Sequence, residues 1–492
     1  MTLAAAVPAA QESPISIGSR LEPLFDTHLV DRLGGKAVLR LNRPTPREIA
    51  ITHDAPWEGA GSGYHTVFQD GDLYRMYYRG QQMEVVDDKL RYPTAEVICY
   101  AESRDGIRWT RPELGLVEFQ GSRRNNILRD RFGTHNFTPF KDLNPACPPT
   151  ARYKAVGGVR GAKEGDGLYA FQSADAIHWS LLQETPILTE GYFDSQNVVF
   201  WDAERREYRA YFRDFREYPN GRDIKTSTSK DFLHWSKSEW LEYPTGRKTQ
   251  LYTNQVLPYY RAPHLFLGFP TRYVTNRGLL TPLNEKIGRA HPRFGNDYTD
   301  GGFMAGRDGR TFQVWGEAFL RPGPVREGRW LYGGQYQNWG LVETRAEEGP
   351  GTLLPFLPAD TDREISLYAS EGGWVPGSAR MRRYTMRLDG FVSAQAPQDG
   401  GELFTKPLIF TGRRLRLNFA TSAVGSVRVE LQDVQGKALP GFALDDCPEH
   451  FGDFIAREIT WKGGGDVGKV AGTPVRVRVA LRDADVYAFR FE

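Results

Sequence analysis

The sequence predicts an all-β protein, on three observations. Short runs of β-branched or aromatic residues recur along the chain, broken by Gly, Asp, Asn and Pro, while helical periodicity is scarce. The composition, with 52 glycines, 31 prolines and 13% aromatic residues, suits many short strands joined by tight turns. A turn mark also repeats: "SRDGIRW" from Ser103, "SADAIHW" from Ser173, "SKDFLHW" from Ser229 and, more loosely, "GRDGRTF" from Gly306. In each, an Asp (Asp105, Asp175, Asp231, Asp308) is followed four residues later by an aromatic side chain. Asp can bond the backbone amides of a turn, and the aromatic ring pins that turn to the neighbouring sheet.

Between the marks one order recurs: an inner strand with a polar head, a turn, a strand rich in Tyr, Arg or Phe, and a strand leading into the mark. The first unit holds "GYHTVFQDGDLYRMYYRG" and "EVICYAESRDGIRW". The second holds "HNFTPFKD", "RYKAVGG" and "GLYAFQSADAIHW". The third holds "GYFDSQNVVFWDAERREYRAYFRDF" and "DIKTSTSKDFLHW". The fourth holds "QLYTNQVLPYY", "HLFLGFPTRY" and "GGFMAGRDGRTF", and the fifth "RWLYGGQYQNWGLVET", "EISLYASEGGW" and "ARMRRYTMRLDGF". Five radially repeated units predict a five-bladed β-propeller over residues 20–393. After residue 394 the grammar changes to strict alternation, as in "GSVRVELQD" and "TPVRVRVALRD". Val475, Val477, Val479 and Leu481 are expected to face inward and Arg476, Arg478 and Arg482 outward, so residues 394–492 predict a C-terminal β-sandwich. Residues 1–19, beginning "MTLAAAVPAAQESP", read either as the stub of an export signal, which implies a secreted or periplasmic protein, or as a disordered arm.

The charge balance, 63 basic against 61 acidic residues, argues against a nucleic-acid partner. No apolar run approaches the ~20 residues of a membrane-spanning helix. Cys99, Cys147 and Cys447 form no metal-binding spacing.

The turns "DGDLYRMYYRG" and "SRDGIRW", within five repeats followed by a sandwich, resemble the five-bladed propeller glycoside hydrolase superfamily of invertases, fructanases, arabinanases and xylosidases. The resemblance implies an axial pocket with catalytic carboxylates at the heads of the innermost strands of the first three blades. It implies no organic cofactor and leaves a central Ca²⁺ possible. Two signatures of that superfamily are absent. No Asp-Pro precedes the first inner strand, and the Arg-Asp-Pro of the second blade is replaced by "THNFTPF", with Asn136 at the place of the Asp.

Glycoside hydrolysis ordinarily needs two carboxyl groups flanking the scissile bond. Asp194, at the head of the third unit, is the first candidate, its alternative being a structural pair with Arg213. Glu58, in the Gly-rich loop "APWEGAGSGYHTVF", and Glu343, in "QNWGLVET", follow as catalytic candidates. His65 and His135 stand at strand heads, where an imidazole can act as acid or base or simply fill the core. Trp57, Asn136, Asn197, Tyr252, Asn254, Gln337 and Trp339 supply the flat faces and amides that sugars need. Arg272 in "GFPTRY" can hold an acidic sugar or pair with a protein carboxylate. The function these readings imply is hydrolysis of oligo- or polysaccharides. The alternatives are a non-catalytic carbohydrate-binding propeller, which the missing signatures favour, and a phosphate-dependent glycoside phosphorylase, which needs a basic cluster at the pocket.

Overall fold

The computed structural model describes residues 13–158, 167–217, 221–247, 249–326, 328–346, 362–374, 377 and 379–492. The fold is mostly β. Among the described residues the only α-helices are two short ones, Pro282–Ala290 and Pro292–Asn296. No helix of the described residues is long and apolar enough to cross a membrane. The chain forms two compact units. One comprises Arg43–Glu348 and Arg363–Arg387; the other comprises Met1–Asn42, Gly349–Asp362 and Leu388–Glu492.

Among its described residues the first unit contains five four-stranded antiparallel sheets, which follow one another along the chain. The first sheet is Gly63–Asp70, Leu73–Gly80, Val97–Ser103 and Ile127–Arg129. The second is His135–Lys141, Tyr153–Gly158, Leu168–Ser173 and Ser180–Leu181. The third is Val198–Asp202, Glu207–Phe215, Arg222–Ser229 and Glu239–Trp240. The fourth is Leu257–Tyr259, Ala262–Gly268, Met304–Gly306 and Phe312–Val314, accompanied by a three-stranded sheet of Gln250–Leu251, Thr271–Val274 and Tyr298–Gly301. The fifth joins Val342–Arg345, Arg363–Glu371 and Arg380–Arg387 to Thr45–Thr52, a strand from the opposite end of the unit. That last pairing has no local signature, since more than three hundred residues separate the partners.

The turn mark works as its chemistry demands. The Oδ1 of Asp105 accepts from the amides of Ile107 and Arg108, both at 2.8 Å. Asp175, Asp231 and Asp308 repeat the arrangement. The rings then join sheets: Trp109 of the first mark packs edge-on against Tyr368 of the fifth sheet.

Apolar clusters span successive sheets. Tyr77 and Ile98 of the first pack with Phe137 and Ala155 of the second. Phe140 and Val156 share a cluster with Val199, Tyr211, Phe266 and Met304 of the third and fourth. Val342, Tyr368 and Met381 of the fifth pack with Val67 and Met76 of the first. Polar strand heads add hydrogen bonds between sheets. Gln196 Nε2 donates to His65 O at 3.1 Å and to Thr66 Oγ1 at 3.0 Å. Gln255 Nε2 donates to Gln196 Oε1, Asn254 Nδ2 to Tyr211 O, and Gln337 Nε2 to Gly302 O. Trp339 N donates to His65 O, and Val67 N to Trp339 O.

The second unit is built on two long antiparallel strands, Leu415–Gln432 and Arg476–Phe491. The alternation holds: Val475, Val477, Val479 and Leu481 are buried, Arg476 and Arg478 are half-buried and Arg482 is exposed. N-terminal strands also belong here. Ile15–Gly18 pairs in parallel with Leu408–Phe410, and Val30–Gly35 pairs with Gly401–Thr405. The structure thus places residues 15–41 with the C-terminal strands, where sequence reading assigned residues 20–393 to one domain. The cause is long-range strand pairing that local periodicity does not encode. Of the expectation for residues 1–19, residues 1–12 lie outside the described residues, while Ile15–Gly18 is a strand.

Replacing Gln196 by Ala removes both hydrogen bonds to the first sheet and strands their buried partners. The expected loss is about 2 kcal/mol of unfolding free energy, measured from the denaturant midpoint at unchanged slope. A change near zero would show that these bonds do not hold the sheets together.

Candidate active site

In the first unit the ends of several strands surround a cavity of about 170 Å³. Tyr64 enters it from the head of the first sheet, where the chain slips register between Gly63 and Thr66. Tyr64 takes φ 53°, a left-handed conformation that a bulky residue adopts only under constraint. Arg79 lies one residue before the end of its strand, and Tyr252 directly follows Gln250–Leu251. Asp194 lies in the segment leading to Val198–Asp202; Glu371 ends one strand of the fifth sheet and Arg380 begins the next. Tyr332, Tyr336, Phe294 and Trp374 supply aromatic wall.

One polar chain crosses three sheets. The His135 Nδ1 lies 3.2 Å from both oxygens of Glu96, and its Nε2 lies 3.2 Å from Asp194 Oδ1. The His135 ring is buried, whereas the Asp194 side chain is 50% exposed. Burial disfavours the imidazolium, but the bonds to Asp194 and Glu96 outweigh it, so the His135 pKa is raised. Arg213 Nη2 donates to the Asp194 carbonyl at 3.3 Å and lies 4.0 Å from its Oδ2.

The aromatic side of the cavity is a tyrosine cluster. Tyr252 stacks on Tyr336 and Tyr273 with centroids 5.5 and 5.6 Å away, and its hydroxyl is 3.2 Å from that of Tyr332. Burial opposes ionisation throughout and drives Tyr64, Tyr332 and Tyr336 well upward. Tyr252 is shifted downward instead. Against the burial penalty, the Arg213 guanidinium, 4.7 Å above its ring, favours the phenolate.

Glu371 is a buried carboxylate that the sequence reading did not single out. Its Oε1 accepts from Arg382 Nε and Tyr384 OH, both at 2.8 Å. Arg380 and Arg329 lie 3.5 and 3.6 Å from its Oε2. Burial alone would raise its pKa, but these partners hold it below the usual carboxylate range.

The other sequence candidates are placed as follows. Glu58 is buried behind the cavity, its Oε1 accepting from Tyr78 OH at 2.6 Å and its Oε2 3.3 Å from Arg111. Burial pushes its pKa upward. Its loop turns the carboxylate into the sheet, leaving His53 on the cavity wall. Glu343 lies on a separate, mostly apolar groove beside Phe68, Leu143 and Trp201, because its strand enters the fifth sheet on that side. Trp57 packs edge-on against Phe119 and donates to Asn126, away from the cavity. His65 stacks on Tyr78, with Nε2 3.1 Å from that of His53. Asn136 is buried with its Nδ2 3.1 Å from His135 Nε2. Asn197 bonds Phe193 O and Ser195 O, and Asn254 and Gln337 bond neighbouring sheets. Trp339 is core, its Nε1 donating to Val256 O at 2.9 Å. Arg272 is engaged by both oxygens of Asp300 at 2.6 Å.

The cavity therefore gathers Asp194 and Tyr252 from the sequence candidates, with His135 attached through Asp194. Arg79, Glu371 and Arg380 were overlooked. Arg79 and Glu371 share a signal, a charged residue next to glycine at a strand end, in "YYRG" and "SEGG", whereas Arg380 opens its strand three residues after Gly377 in "GSAR". No group of three or more His, Cys, Asp or Glu among the described residues is arranged to hold a metal ion.

No protein-family model matches the chain, and no curated protein matches it. Solved structures do. One described as a glycoside hydrolase is 12% identical, with 70% of this chain and 92% of that chain covered at a TM-score of 0.43. A second comes from the GH130 family of mannoside phosphorylases, described as containing hydrolases that target β-1,2 mannosidic linkages in Candida mannan. It is 11% identical, covers 72% of this chain and 97% of its own, and scores 0.43. An endo-arabinase from Bacteroides thetaiotaomicron is 9% identical, with 69% and 98% covered at 0.40.

Two histidines should titrate in opposite directions. His135 is expected to lose its proton above the ordinary value of about 6.5, whereas His53, desolvated and close to Arg111, stays neutral down to about 3. By linkage, the ion pairs of His135 contribute fully below about pH 6.5 and are lost as pH rises through its raised pKa. The burial of neutral His53 contributes above about pH 6.5 and is lost as pH falls towards 3. Histidine-selective NMR titration of the wild type and His135→Gln checks the assignment. A His135 midpoint below about 6.5 would rule out the cation between two carboxylates.

Proposed function

We propose that the chain is a glycoside hydrolase built on a five-bladed β-propeller with a C-terminal β-sandwich. The five consecutive four-stranded sheets are the blades, and the strand Thr45–Thr52 closes the ring by completing the fifth. The second unit, with its two long paired strands and one buried face, is the sandwich.

One observation carries the functional reading: a single cavity exposes Asp194, coupled to His135, together with ionised Glu371 and a wall of tyrosines. In this reading Asp194 exchanges a proton with the glycosidic oxygen or the attacking water. His135 holds that carboxyl group in position, and its imidazolium offsets the charge that Asp194 carries as the proton moves. Glu371 provides a fixed negative charge for the oxocarbenium-like transition state. The tyrosine faces provide flat apolar surface for the sugar ring.

The test is a panel of plant and algal oligosaccharides, read by mass spectrometry with and without phosphate. Asp194→Asn is expected to lose at least ~100-fold in activity with its thermal midpoint almost unchanged, because the side chain is half exposed. Sugar phosphates among the products would establish a phosphorylase. Sugar binding with no product from wild type or variant would establish a carbohydrate-binding propeller. Undiminished activity in Asp194→Asn would remove Asp194 from the reaction.

A further inference from the structure

The cavity holds more positive charge than its carboxylates absorb. Glu371 alone meets three guanidiniums, those of Arg329, Arg380 and Arg382. Arg329 also donates to Pro322 O. Arg380, by contrast, has a buried Nε without a hydrogen-bond partner, although it lies on the cavity wall. Arg293 lies on the wall as well, 4.7 Å over the Phe294 ring and 5.5 Å from that of Tyr332. No carboxylate of the described residues pairs with it. The third lining guanidinium, Arg79, spends its Nε on Gly61 O at 3.0 Å and has its nearest carboxylate, Glu96, 4.0 Å away.

Three guanidiniums thus line one cavity, and none has a carboxylate nearer than 3.5 Å. Stacking on rings orients the plane of Arg293 and leaves its edge for a ligand. A planar fork of N–H donors is matched by an oxyanion, which it can bind through two parallel bonds. Arg293 has no carboxylate partner, and those of Arg79 and Arg380 are 4.0 and 3.5 Å away, so a bound anion adds counter-charge that the protein supplies only loosely.

We propose that Arg79, Arg293 and Arg380 form an oxyanion subsite of this cavity, which accepts a carboxylate, sulfate or phosphate group. Two sources supply that chemistry: an acidic substituent on the sugar, or free inorganic phosphate acting as co-substrate. The inference rests on the reading above only in naming a sugar as the bearer.

Calorimetric titration at low ionic strength tests it, with D-glucuronate, D-glucose, inorganic phosphate and inorganic sulfate as probes. At least one anion is expected to bind about tenfold or more tightly than glucose, as suits a charge-assisted pair. Glucuronate preferred over phosphate places the anion on the sugar; phosphate preferred, with sugar phosphate released in turnover, makes it the co-substrate. Arg293→Gln and Arg380→Gln are each expected to weaken the preferred anion about tenfold while sparing glucose. Because Arg380 packs on Glu371, the exposed Arg293 carries the decision if Arg380→Gln fails to fold. Anions that bind no better than glucose, or an Arg293→Gln that binds them as the wild type does, would overturn the subsite. Anion binding without cleavage of any oligosaccharide would keep the subsite and discard the hydrolase; cleavage of neutral sugars without anion binding would do the reverse.

Discussion

The first unit depends on how amide side chains join one sheet to the next. A sheet alone can bury one apolar face, but it leaves polar groups at the inner ends of its strands. Gln196, Asn254, Gln255 and Gln337 meet that requirement by bonding backbone or side-chain groups of other sheets. Each such bond satisfies a buried donor and acceptor together, so losing one partner costs more than the bond itself contributes. It also sets the register between sheets, which apolar packing alone leaves loosely determined. The strand heads are therefore used mainly as internal ties, and the charged groups that line the cavity lie at other strand ends and in the adjoining loop segments.

That displacement shapes the electrostatics. Asp194 has the buried imidazole of His135 beside it, and Glu371 is surrounded by guanidiniums. They share the cavity with tyrosines whose hydroxyls are desolvated, of which Tyr252, beside Arg213, is the most readily ionised. His53 on the cavity wall and His65 behind it, with their Nε2 atoms 3.1 Å apart, are kept uncharged by burial. Charge at the cavity is thus distributed by position: the Glu371 carboxylate among guanidiniums on the fifth sheet, and the Asp194–His135 pair joining the second and third.

Several features were readable from residues in a row. The Asp-to-aromatic mark predicted four turns because both partners lie within a few residues of each other, and the side chain of each Asp caps its own turn. Alternation predicted which faces of Arg476–Phe491 are buried, because side-chain direction in a strand has a period of two. Asp194 and Tyr252 stood out as polar residues opening strands. Glu58 stood out for its Gly-rich loop, and Trp57 and Asn197 for the flat face and amide that sugars need, yet they turn inward to Tyr78, Asn126 and their own loop. A one-residue slip in register or a left-handed residue such as Tyr64 decides which way a strand head points, and neither is visible in composition.

The sequence by itself determined the mostly β character, the repeat of sheet-forming units and the alternating C-terminal strands, since all of these arise from local periodicity and turn chemistry. Tertiary structure alone decided that Thr45–Thr52 completes the last sheet and that residues 15–41 pair with strands beyond residue 388. It also decided that Arg79, Glu371 and Arg380, up to three hundred residues apart, share one cavity with Asp194. The physical reason is common to all three. Pairing partners and cavity neighbours are chosen by which distant surfaces bury the most apolar area with the fewest unsatisfied polar groups, and no short stretch of sequence encodes that sum.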